Sequence, residues 1–259
     1  MKLTLVAKRP ETEDVTSFLF SSDAPLKWQA GQFLHYSLLH PDADDQGIAR
    51  YFTIASAPFE GHIMLTTRFA RQRSSSFKRA LRQLHVGAAI EVSEPEGDFV
   101  VGDPGDEHVF IAGGIGVTPF RAILLDLDHR ELPIKATLLY ANRTSDFVYK
   151  AEMDRLAARH PGLVIRYLVS PKRVTQSSIL AAAPELGKPT FHVSGPAPFV
   201  EAVGNMLWWL GVPDAHVKRD YFPGYDWPSI DKQGKSMIDI IPTNLEEATE
   251  VTDSGHRAL

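Results

Sequence analysis

The sequence predicts two domains in series: an N-terminal antiparallel β-barrel with one capping helix, then an α/β domain built on a parallel sheet. Two observations carry this prediction. Residues 1 to about 103 contain six short runs of alternating, β-branched and aromatic character, broken by Gly, Pro and Asp. After VGDPGDEH at 101–108 the rhythm changes to apolar runs alternating with amphipathic stretches, as expected of strands covered on both faces by crossover helices. The boundary therefore falls near Asp103, giving domains at 1–103 and 104–222 and an extension at 223–259.

The six runs of the first half are KLTLVAKR, SFLFSS, QFLHYSLL, ARYFTIAS, HIMLTTRFA and AIEVSEP. Within them SSSFKRALRQL, 74–84, places Phe77, Leu81 and Leu84 at helical spacing behind serines suited to an N-cap, so it reads as the helix that covers one end of the barrel. In the second half HVFIAG leads into VTPFRAILLDLDHR, KATLLYAN into DFVYKAEMDRLAARH, LVIRYLVS into SSILAAAP, and TFHVSG into APFVEAVGNMLWWLG; HVKRDYF closes the series. The extension is rich in Pro, Gly and acidic residues (LEEATEVTD) and shows little periodicity, so a wrapped or partly disordered tail is expected.

Composition bounds the chemistry. Of 259 residues 44% are hydrophobic and 23% charged, the profile of a globular protein with material for real cores. The net charge of −5 and scattered basic residues argue against a nucleic-acid or anionic-membrane partner. There is no cysteine, which excludes disulfides, thiolate zinc sites, Cys nucleophiles and a Cys-ligated iron–sulfur cluster in this sequence. His35, His40, His62 and His85 lack ligand spacing, so no metal site is expected. The N-terminus has no signal-peptide pattern and no run reaches membrane-spanning length, so a cytoplasmic location is the expectation.

Three stretches carry candidate chemistry. ARYFTIAS opens a strand with Arg50 and places Thr53 and Ser56 in its middle; either the polar groups face water at an edge, or the strand floors a site for something flat, aromatic and anionic. IAGGIGVTPF, 111–120, puts Gly113, Gly114 and Gly116 between a strand and a helix, where backbone can approach a pyrophosphate; Thr118 can cap the helix and Pro119 fits its first turn. A tight connection without ligand would need similar residues. Asn142 and Arg143, and Ser194, Gly195 and Pro196, lie at the carboxyl ends of two further strands, where open parallel sheets bind ligands.

Taken in order, Arg50-Tyr51-Phe52-Thr53, the Ser74-Ser75-Ser76 helix start, Pro95-x-Gly97-x-Phe99, GGIGVTP, YANRTSDFVY and SGPAPF resemble the ferredoxin–NADP⁺ reductase-like flavoproteins over about 220 residues. The resemblance implies an enzyme: a flavoprotein reductase that takes hydride from NAD(P)H onto bound FAD, FMN being the less favoured flavin, and passes electrons to an external acceptor such as ferredoxin or flavodoxin. It implies that Arg50 and the serine-opened helix hold flavin phosphates, that an aromatic at position 52 packs beside the flavin, and that Thr53 hydrogen-bonds near its reactive nitrogen. Tyr51 and Arg68 join the candidate cofactor contacts, and Arg71 and Arg73 are further basic groups nearby. Gly113, Gly114, Gly116, Thr118, Pro119, Asn142, Arg143, Gly195 and Pro196 would hold the nicotinamide dinucleotide, and Thr53 and Ser194 would be catalytic.

The sequence departs from the family pattern at several points. Phe52 stands for the usual tyrosine, Ser194 for the common cysteine and Phe199 for methionine; Ser170 is followed by Pro171, Lys172 and Arg173 where NADP-preferring members have serine and arginine. In RDYFPGYDW, Asp220 replaces the family's glutamate and Phe222 matches its aromatic, with Tyr221, Tyr225 and Trp227 as further aromatic candidates. These departures leave open a flavin-binding electron-transfer or regulatory subunit with little reductase activity alone.

Overall fold

The computed structural model describes residues 1–69 and 74–222. Arg71, Arg73, Tyr225, Trp227 and the expected extension at 223–259 lie outside the described residues.

All six expected strands of the first half form: β1 (Lys2–Pro10), β2 (Val15–Ser22), β3 (Phe33–Ser37), β4 (Ala49–Thr53), β5 (Ile63–Arg68) and β6 (Ala89–Val92). They make one antiparallel sheet in the order β4-β3-β6-β1-β2-β5. Its two edges meet just beyond β4, where the Ala55 amide donates to the Met64 carbonyl at 2.7 Å, so the sheet curls into a barrel-like form. Ser56, expected within the strand, lies past its end. Its hydroxyl donates to the His62 carbonyl and accepts from the Met64 amide, at 2.7 and 3.0 Å, stitching the same seam. Helix α1 (Ser76–Gln83) forms within the expected stretch, with Ser75 of the serine run as N-cap accepting from the Lys78 amide. Phe77 and Leu81 of α1 join Leu3, Phe18, Phe20 and Tyr36 in the barrel core.

The second half forms five parallel strands, β7 (His108–Gly113), β8 (Ala136–Asn142), β9 (Leu163–Val169), β10 (Thr190–Pro196) and β11 (Val217–Phe222), in the order β11-β10-β7-β8-β9. The helices between them are α2 (Thr118–His129), α3 (Lys150–Arg159), α4 (Gln176–Ala182) and α5 (Ala197–Trp209). The chain builds outward from β7 through β8 to β9, then returns to β7's other side for β10. That reversal opens a crevice at the carboxyl ends of β7 and β10. Among the described residues no helix is long and apolar enough to cross a membrane.

One boundary differs for a physical reason. The run DFVYKAEMDRLAARH reads as helix throughout, yet α3 starts only at Lys150, and Tyr149 takes a left-handed φ of 60°. Its ring lies under the Arg121 guanidinium and its hydroxyl donates to Thr66 Oγ1 at 2.6 Å. A tertiary contact to the barrel therefore outweighs local helix propensity. The core beside α2 and α3 likewise takes Ala55, Met64 and Phe99 from the first half, so both halves share buried surface.

Candidate active site

The ends of three strands from the two sheets converge on one carboxylate. Thr53 closes β4, Ser194 lies near the end of β10, and Asp220 is Ser194's registered neighbour on β11. Asp220 Oδ2 accepts from Ser194 Oγ at 3.0 Å and from Thr53 Oγ1 at 3.5 Å. Thr53 and Ser194 are buried. Burial pushes the Asp220 carboxyl up to about 6, against the opposing pull of the two hydroxyls. A carboxyl with that affinity can hold or release a proton near neutral pH. Sequence reasoning singled out the two hydroxyls and noted Asp220 only as a replacement for glutamate; its position two residues before Phe222 on the last strand was the signal.

The glycine-rich turn is shaped by close approach. A Cβ on Gly116 would lie 2.2 Å from the Ser194 carbonyl oxygen and 2.8 Å from Gly195 Cα; one on Gly113 would lie 2.7 Å from the Phe199 ring. The first pair is backbone against backbone, so only glycine lets β7's turn sit against β10's. Thr118 does not cap α2 as expected. It is the first helical residue, and its hydroxyl donates back to the Ile115 carbonyl at 3.2 Å. Pro119 occupies the first turn as expected.

Around the crevice, Asn142 Nδ2 donates to the Thr144 and Asp146 carbonyls at 3.2 and 3.0 Å and closes the loop after β8. Arg143 is exposed on that loop, and partial burial of its guanidinium together with nearby Arg68 lowers its pKa. Arg68 is itself ion-paired to Asp14 at 2.5 Å, so basic groups of both halves come near each other. Ser170 donates its amide to the Asn142 carbonyl at 3.1 Å, and Pro171, Lys172 and Arg173 follow it, exposed. Pro196 and Phe222 are paired at the ends of β10 and β11.

The barrel end of the site is built from β4 and α1. Arg50 and Phe52 share one face of β4, and Phe52 packs against Phe77 of α1 and Tyr36, ring centroids 5.6 and 5.8 Å apart. Tyr51 lies on the other face, exposed and stacked on His35 at 4.3 Å, so it is not gathered with Arg50. The Arg50 guanidinium donates to Asp44 Oδ1 at 2.5 Å, and the Ser76 amide, first in α1, donates to Asp44 Oδ2 at 2.9 Å. Ser74 offers its carbonyl to Arg79.

These donors test the fit of a flavin phosphate. A guanidinium and a helix-opening amide converge on an anionic oxygen pair, that of Asp44, so donors of the kind a phosphate needs are present but already engaged by a carboxylate. Sequence reasoning missed Asp44, which stands in the acidic loop DADD six residues before Arg50. It also missed Arg121 on α2, 2% exposed, which donates to the Ala55 carbonyl at 2.8 Å and pairs with Glu60 and Glu152. This network joins α2 and α3 to the segment directly after Thr53.

Residues 110–204 match the model of the oxidoreductase NAD-binding domain family. Among solved structures, the Amycolatopsis cytochrome P450 reductase superposes with a TM-score of 0.72 at 20% identity, over 86% of this chain and 70% of that one. The flavohem-like FAD/NAD-binding domain of a Vibrio cholerae nitric oxide dioxygenase gives 0.72 at 20%, over 85% and 98%. The fold is that of the ferredoxin–NADP⁺ reductase-like proteins. The ferredoxin–NADP⁺ reductase-like architecture thus places the match over β7 to α5, on the half that carries the glycine-rich turn. Among curated proteins, the stachydrine N-demethylase reductase subunit of Rhizobium meliloti is 28% identical, over 86% of this chain and 67% of that protein. The 3-ketosteroid-9-alpha-monooxygenase ferredoxin reductase component of Mycobacterium tuberculosis is also 28% identical, over 86% and 65%. The chain spans about two thirds of the length of these relatives.

Proposed function

We propose that this chain is a flavin-dependent NAD(P)H oxidoreductase that feeds electrons to an external acceptor, a ferredoxin, a flavodoxin or an oxygenase component. The observation that carries the proposal is the Thr53–Ser194–Asp220 cluster, in which the two sheets each contribute to one proton-holding site beside the crevice at the β7–β10 reversal. The division of labour is between 1–103, which holds FAD, and 104–222, which holds the nicotinamide dinucleotide; NAD(P)H as electron source is the reason for a cytoplasmic setting.

Bound flavin would supply the hydride-accepting and single-electron chemistry. The protein's residues bind and align. Arg50 and the α1 opening would lie at the phosphate end of the flavin, where Asp44 shares them, and the close turn at Gly113–Gly116 would admit a dinucleotide backbone to the sheet edge. Thr53 and Ser194 present hydroxyls, and Asp220 Oδ2 holds or yields a proton between them. Lys172 and Arg173, exposed just past the end of β9, would be the groups to read a ribose phosphate.

The relatives' names, reductase components of monooxygenase and demethylase systems, support the same reading. One observation favours the rival, a flavin-binding subunit with little reductase activity. The Phe199 ring packs directly on Gly113 and narrows the turn that a dinucleotide would use. Anaerobic stopped-flow mixing of flavin-loaded protein with NADPH, and separately with NADH, decides between them. Rapid loss of the visible flavin band with either nucleotide establishes the reductase, and retained colour with both establishes the rival.

A further inference from the structure

The donors that suit a flavin phosphate are not waiting for one. Asp44 Oδ1 accepts from Arg50 Nη2 at 2.5 Å and from the Gln46 amide at 3.2 Å; Oδ2 accepts from the Ser76 amide at 2.9 Å; and the Asp44 amide donates to Ser76 Oγ at 3.0 Å. Arg50 Nη1 is turned onto the Gln46, Gly47 and Ala49 carbonyls at 2.9, 3.0 and 2.7 Å. The loop is itself closed, with the Gly47 amide on the Asp44 carbonyl at 2.7 Å. Two elements distant in sequence, β4 and α1, thus share one internal carboxylate. The Ser76 amide first, and Arg50 after it, hold this carboxyl well below the usual carboxylate range, so it is anionic throughout the working range of pH.

A phosphate cannot join this arrangement without either displacing Asp44 or lying beside a like charge. The ring system and ribityl chain of a flavin would carry no such conflict, because Phe52, Thr53 and Ser194, the residues that would meet them, make no contact with Asp44. We propose that Asp44 is a specificity residue of the flavin site: its carboxylate competes with flavin phosphates for Arg50 and the Ser76 amide, so the chain gains little affinity from the phosphates of FMN and FAD. The inference rests on the flavin reading above and deepens it. Its consequence is a flavin held chiefly by its ring and exchanged readily.

The experiment is fluorescence titration of flavin-stripped protein with riboflavin, FMN and FAD, for the wild type and for Asp44→Asn. Asparagine keeps an oxygen to accept the Ser76 amide and removes the charge and the acceptor that faced Arg50, so α1 stays capped while Arg50 is released; circular dichroism checks this, and Asp44→Ser serves if the first variant misfolds. For the wild type the three dissociation constants should agree within about threefold, whereas Asp44→Asn should tighten FMN and FAD by about tenfold or more with riboflavin unchanged. Equal gains for all three flavins, or no gain for FMN and FAD, would overturn the role of Asp44 while leaving the flavin reading intact. No binding of any flavin by wild type and variants would sink the flavin reading itself, and this inference with it.

Discussion

Asp220→Asn should make the protein more stable above neutrality and leave it unchanged in acid. The native carboxyl titrates at about 6 against an ordinary 3.8, because burial disfavours the anion. The folded state therefore binds a proton more tightly than the unfolded chain, and stability falls as pH rises through the window from 3.8 to about 6. Across about two pH units, at roughly 1.4 kcal/mol each, the ionised Asp220 costs on the order of 3 kcal/mol once pH exceeds the folded value. Asparagine carries no charge and can still accept from Ser194. Urea denaturation followed by circular dichroism should thus give the variant a gain of about 3 kcal/mol near pH 8 that shrinks toward zero near pH 4. An equal gain at both pH values would assign the effect to packing, and a loss near pH 8 would refute the burial argument outright.

Arg121→Ala should cost about 3–5 kcal/mol in the same assay, since it strands the part-buried Glu60 and Glu152 carboxylates and the Ala55 carbonyl; a loss below about 1 kcal/mol would show the pairs to be solvent-screened. His192, packed among Phe99, Phe110 and His108, is pushed down to about 3 by burial, so stability should fall as pH drops from 6.5 toward 3, by up to about 1.4 kcal/mol per pH unit. His192→Phe should flatten that slope, and an unchanged slope would place the acid sensitivity elsewhere. Gly116→Ala must shift the Ser194 carbonyl, so it should cost about 3 kcal/mol and slow flavin reduction by NAD(P)H about a hundredfold, with wild-type rates counting against the close approach as the reason for glycine.

The fold was legible because its signals are local. Period-two runs gave six strands and the strand–helix alternation gave the parallel sheet, each within a few residues of its ends. Where reading erred, a long-range contact decided. Tyr149 leaves the helix to reach Thr66, 83 residues away, and Ser56 leaves the strand to stitch β5. Of the candidate site, the sequence singled out Thr53 and Ser194, each within one motif, and the fold brings both hydroxyls to one carboxylate. The site was not legible where the partner comes from a distant element. Nothing around Asp44 in DADDQG announces that Ser76, 32 residues on, will meet it. Arg121 reads as a helix-surface arginine until Glu60 is placed 61 residues back against it.

The two hidden partners have opposite consequences. Arg121 binds two carboxylates, and its charge is compensated where the halves share a core, so it fixes the segment after Thr53 and with it one hydroxyl of the site. Asp220 is buried without a cation among its strongest influences and is left with a proton affinity near neutrality. A fold selected for stability alone would reverse these choices, with an apolar residue at 220 and packing in place of the 121 network. That the network holds the Ala55 carbonyl, two residues past the Thr53 hydroxyl that meets the destabilised carboxyl, is the arrangement expected when a site must keep geometry fixed while one group changes protonation. Loosening the network without touching Asp220, by Glu152→Gln, should therefore move the pH dependence of NAD(P)H oxidation little but lower its rate. A shift in the pH profile instead would mean that the network tunes the proton affinity and not the position of Thr53.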